Sequence, residues 1–96
     1  MANSGLYVVV YDISDDKERE SVSNVLGGYG FRVQRSVFEC RLTVAARGKM
    51  LGQLEELGLK TGFVYAYRVL GKSKRLEIGT PPEDEAFSDD QYAYII

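Results

Sequence analysis

Ninety-six residues, 45% hydrophobic, with seven Tyr, four Phe and no Trp and a net charge of −2, make one small domain with enough apolar material for a core. The absence of histidine excludes a Ser-His-Asp triad, a Cys-His pair and the usual zinc sites, which all need an imidazole. The single Cys40 excludes an internal disulfide and reads as a buried thiol. No apolar run reaches the ~18 residues of a membrane span, and Met1 to Gly5 lacks a basic leader region; the expectation is a cytoplasmic protein with no membrane contact.

Leu6 to Tyr11 is the most apolar run in the chain. Both alternating sets are apolar, which suits a central strand. Asp12 closes that run where it leaves the core, a position used for binding hard cations and also for ordinary turn or helix-cap chemistry. Ser14 or Asp15 can cap a first helix, with Val22, Val25, Leu26 and Tyr29 as its buried stripe and Gly27, Gly28 and Gly30 to stop it. From Phe31 to Leu42 the apolar phase shifts after Val37, which predicts two strand segments with a bulge or tight reversal near Arg35-Ser36. Thr43 can cap a second helix running to about Leu57, packed through Met50, Leu51, Leu54 and Leu57 and ended by Gly58. Phe63 to Leu70 is another strand, residues 71–74 a turn, and Arg75 to Ile78 a short last strand.

Two prolines and three acidic residues over Thr80 to Glu85 end the sheet, and Gln91 to Ile96 alternates again. Residues 1–79 therefore read as the domain. Residues 80–96 read as an acidic linker and a tail expected to pair with a sheet edge on a partner chain. The element order is that of an α+β, ferredoxin-like β-α-β-β-α-β fold with an extra short C-terminal strand. Charge is unevenly placed: −3 over residues 1–30, +7 over 31–75 and −6 over 76–96. The basic middle is either a solvated surface or a phosphate-binding face.

Tyr11-Asp12-Ile13 followed by Ser14-Asp15-Asp16 resembles the opening of the CRISPR-associated protein 2 family. Gln34-Arg35-Ser36-Val37-Phe38-Glu39-Cys40 resembles that family's signature of a glutamine, a variable residue and Ser-Val-Phe-Glu. Ile78-Gly79 is a weaker match. The resemblance spans roughly residues 6–79. It implies a homodimer whose two strand-one aspartates, Asp12 here, face each other across a cleft and bind Mg2+ (or Mn2+). It also implies metal-dependent endonuclease activity on RNA or DNA, and a role in spacer acquisition with the CRISPR-associated integrase. The family's basic and aromatic positions fall on Arg19, Arg32 and Phe38. A second helix-one arginine frequent in the family is Ser21 here, a departure from any mechanism that needs both.

The chemistry that the resemblance implies is sensible for these residues. Two carboxylates with waters can hold an octahedral cation where one holds it weakly. Arg19, Arg32 and Arg35 can grip phosphates through charge-assisted forks. Phe38 fits the core or a dimer interface better than base stacking, and Glu39 fits a salt bridge better than a supporting acid. Ser36 has no base to activate it, so it reads as a hydrogen-bonding residue at the strand break. The functional expectation is an endonuclease with Asp12 from both subunits as its catalytic and metal-binding group. Its alternatives are a non-catalytic DNA-binding adaptor and a toxin-like ribonuclease of the same fold.

Overall fold

The computed structural model describes residues 4–70 and 76–80. Strand β1 (Ser4–Ile13) leads into helix α1 (Asp16–Gly27), strands β2 (Gly30–Gln34) and β3 (Val37–Thr43), helix α2 (Val44–Glu56) and strand β4 (Gly62–Val69). The strands form an antiparallel sheet in the order β2-β3-β1-β4, which is the ferredoxin-like arrangement expected from the element order.

Alternation along β1 decides which face is which. Tyr7, Val9, Tyr11 and Ile13 are buried beneath the helices with Phe38, Cys40 and Leu42 of β3, Val22 and Leu26 of α1, and Met50 and Leu54 of α2. Leu6, Val8, Val10 and Asp12 therefore lie on the opposite face, in register with Val69, Tyr67, Tyr65 and Phe63 of β4. Full burial of each aliphatic side chain in such a core stabilises by about 1.5–3 kcal/mol. Burial, and secondarily the Glu39 carboxylate, push the Cys40 thiol up to about 12. The thiol is therefore protonated and unreactive at neutral pH.

Each helix starts at a side-chain cap. Asp15 Oδ2 accepts from the Glu18 N–H at 2.9 Å, and Thr43 Oγ1 accepts from the Ala46 N–H at 3.1 Å. Of the two candidates for the first cap the structure uses Asp15; the Ser14 hydroxyl donates instead to the Thr61 carbonyl at 3.2 Å. Gly58, at φ 60°, ends the turn after α2 as only glycine does cheaply. The stripe of α2 is narrower than its spacing predicts, because Leu51 stays exposed beside the β4 edge.

The phase shift in the 31–42 segment is a hairpin. Arg35 and Ser36 form its turn, and the register slips between Arg32 and Gln34. The expected short last strand over Arg75 to Ile78 is not formed within the protomer: among the described residues, Leu76 to Ile78 carry no regular structure. Leu76 is 92% exposed and Ile78 fully so. A segment becomes a strand only when an edge supplies its ladder bonds, and none in the protomer does so here. The expected turn over 71–74, and all of the 80–96 tail beyond Thr80, lie outside the described residues.

Candidate active site

The carboxyl end of β1, the first two turns of α1 and the β2–β3 hairpin enclose a cleft of about 690 Å3. Its walls bring together Asp12, Arg19, Arg32, Arg35 and Ser36, five residues that the sequence alone singles out, with Asp16, Glu20, Ser23 and Asn24 added by the helix. Three acidic residues and three arginines thus line one concavity. Such a balance can hold a phosphate and a cation side by side.

Asp12 is exposed and lies on the sheet face away from the helices, opposite Phe63 in the ladder. That face also carries Phe63, Tyr65 and Tyr67, exposed by 44%, 53% and 55%. Their rings form a ladder along β4, with centroids 4.6 Å and 6.2 Å apart. An exposed aromatic row of this kind marks an interaction surface, and Asp12 stands at its end.

The three arginines differ in how they are held. Arg19 Nη1 donates to the carbonyls of Ile13 and Ser14, each at 2.8 Å, and its Nη2 pairs with Asp16. It clamps the turn that follows Asp12. The Arg32 guanidinium lies 5.3 Å from the centroid of the Phe38 ring and donates to the Ser23 hydroxyl. The ring and the hydroxyl together aim it across the cleft. Arg35 stands exposed at the hairpin turn, where its carbonyl accepts from the Tyr11 hydroxyl at 3.0 Å.

Phe38 is buried in the protomer core, 6.4 Å from Tyr11 between ring centroids, and serves the cleft as the plane beneath Arg32. Glu39 is also buried but on the other face, opposite Val8 and Phe31, and lines no part of the cleft. Ser36 contributes through its backbone: its carbonyl accepts from the Tyr11 N–H at 3.1 Å. Ser23 was missed in the sequence because a serine in mid-helix carries no signal until its neighbour across the fold is known.

Oxygen donors suit Mg2+ or Mn2+. Among the described residues no group of three or more potential ligands is gathered at one point. The described residues of one protomer therefore gather no ligand set by themselves, and they would fit a cation only if two protomers brought their Asp12 carboxylates together. Asp15 and Asp16 are engaged elsewhere, as helix cap and as the partner of Arg19. No helix among the described residues is long and apolar enough to cross a membrane.

The family profile described as CRISPR associated protein Cas2 matches residues 5–76. A CRISPR-associated endoribonuclease Cas2 of Mycobacterium tuberculosis is 34% identical over 64 residues, 67% of this chain and 57% of that protein. The chain thus spans little more than half the length of that relative. A CRISPR-associated endonuclease Cas2 of Thermus thermophilus is 39% identical over 84 residues, covering 81% of this chain and 88% of the other. The crystal structure of a hypothetical protein from Thermus thermophilus matches with a TM-score of 0.71 at 35% identity, over 83% of this chain and all of that one.

Proposed function

The chain belongs to the CRISPR-associated Cas2 family, and from that premise we propose that it is a homodimeric, metal-dependent endonuclease of CRISPR adaptation, with Asp12 of each protomer as the cation-binding group. The observation that carries this reading is the placement of Asp12. It lies at the end of the exposed Phe63–Tyr65–Tyr67 row and in the wall of the arginine-bearing cleft. A second copy laid on that face covers the apolar row and brings two carboxylates toward the twofold axis, as symmetry requires of any residue near it. Related proteins named as an endoribonuclease and an endonuclease support the activity. The substrate, RNA or DNA, is a phosphodiester chain in either case.

When bound, Mg2+ or Mn2+ supplies Lewis acidity toward a phosphodiester oxygen. The protein's own residues do the rest. Arg32, held by Phe38 and Ser23, presents donors to a phosphate, and Arg35 extends that grip to the hairpin turn. Arg19 fixes the carbonyls of Ile13 and Ser14, and so fixes the strand end that carries Asp12. Burial of the apolar row by the partner keeps that end of the sheet from fraying.

A second reading is favoured by the scarcity of ligands among the described residues of the protomer: a non-catalytic adaptor that holds duplex DNA for the CRISPR-associated integrase, with residues 80–96 as the docking tail. Asp12→Ala separates the two. In the nuclease reading cleavage falls to background while dimer mass and nucleic-acid binding persist. In the adaptor reading spacer acquisition continues with the variant. Cleavage that persists in Asp12→Ala with unchanged sensitivity to chelator contradicts the role of Asp12.

A further inference from the structure

One carboxylate ties the loop before β4 to the start of α1. Glu18 Oε2 accepts from the Lys60 N–H at 3.0 Å. Its Oε1 accepts from the Thr61 N–H at 3.0 Å and from the Thr61 hydroxyl at 2.6 Å. Thr61 in turn accepts at its carbonyl from Ser14, through the backbone N–H at 3.1 Å and the hydroxyl at 3.2 Å. The Thr61 hydroxyl also accepts from the Asp15 N–H at 3.1 Å. Every polar group of Thr61 is thus engaged with residues two to six positions beyond Asp12.

The next residue, Gly62, closes the other side. A Cβ there would stand 1.9 Å from the Asp12 carbonyl oxygen, so strand and loop touch backbone to backbone at the very residue that carries the carboxylate.

The Asp15-x-x-Glu18 spacing would ordinarily form a capping box, with the glutamate turned back onto the cap's own N–H. Here the Thr61 hydroxyl takes that N–H, which leaves the glutamate to receive the loop. The Thr61 hydroxyl, followed by the backbone N–H groups of Lys60 and Thr61, holds the Glu18 carboxyl below its usual range. It is therefore ionised at neutral pH and bonded as an anion.

We infer that Glu18 and Thr61 are positioning residues for Asp12, locking the end of β1 so that the two carboxylates of the dimer meet one cation in a fixed geometry. The inference rests on the cation-binding role proposed above for Asp12. Mg2+ and Mn2+ sites are sensitive to ligand placement, and supporting contacts around metal ligands typically set affinity by about 10–100-fold.

The test is direct Mn2+ binding, read from the free-ion electron paramagnetic resonance signal, on full-length protein confirmed as a folded dimer by circular dichroism and light scattering. Glu18→Gln replaces one accepting oxygen by an NH2 group facing backbone donors, and Thr61→Val removes the hydroxyl. Both should weaken Mn2+ binding by about 10–100-fold, with cleavage recovered at saturating Mn2+. Thr61→Ser keeps the hydroxyl and should bind as the unaltered protein does. Destabilisation alone would lower the active fraction without moving the affinity. Mn2+ binding unimpaired in Glu18→Gln and Thr61→Val, or equal losses in Thr61→Ser and Thr61→Val, overturns the positioning role while Asp12→Ala still abolishes binding. Mn2+ binding that survives Asp12→Ala overturns the Asp12 reading and this inference with it. Should Glu18→Gln fail to fold, the Thr61→Val and Thr61→Ser pair decides alone.

Discussion

Gly62 shows how one residue conditions the site. Its backbone conformation is ordinary, and what it needs is room, since a Cβ there would run into the Asp12 carbonyl oxygen and the Ile13 Cα. Gly62→Ala should therefore push β4 from the end of β1 and destabilise by about 1–3 kcal/mol, as overpacking does. Chemical denaturation measures this, and an unchanged midpoint would show that the strand end yields freely. At this scale the sequence was only partly legible. Asp12 is recognisable from its place after an apolar run, but both alternating sets of β1 are apolar, so the face it occupies was not. Phe38 was readable as a core or dimer-interface residue, and it lies in the core. That its ring supports Arg32 was not, because the stack joins two strands across a slipped register.

Between elements, the Glu18–Thr61 contact does what sequence reading could not foresee. Its partners are 43 residues apart, and the local spacing points to a capping box instead. The contact also has a definite pH dependence. A carboxyl with a folded-state value below its ordinary 4.5 stabilises the fold fully above 4.5 and loses that contribution as pH falls through the lowered value. The stability difference between the unaltered protein and Glu18→Gln should accordingly be largest at neutral pH and close in acid below 4.5. Unfolding curves at a series of pH values check this; a difference that persists unchanged in strong acid contradicts it. The elements themselves were largely legible. Each cap and glycine stop acts locally, and the phase shift after Val37, which allowed a bulge or a tight reversal, marks the hairpin at Arg35-Ser36. The last short strand was not, because its spacing is strand-like while no described edge of the sheet supplies its ladder bonds.

For the whole molecule, a sheet with helices on one face and an exposed aromatic row on the other fits the proposed dimer. The apolar row along β4, the outer edge of that strand, which no other described strand pairs, and the exposed Leu76 and Ile78 all favour a partner, and a second copy would cover them with one symmetric interface. The proposed dimer would also supply the ligands that the described residues of one protomer do not gather, since symmetry doubles each one. The measurement that bears on this most directly is the number of Mn2+ ions bound per chain, by equilibrium titration of protein whose dimeric mass is established in the same buffer. The account predicts one ion for every two chains, and none in Asp12→Ala. One ion per chain, or binding undiminished in Asp12→Ala, would contradict a site shared between two Asp12 carboxylates.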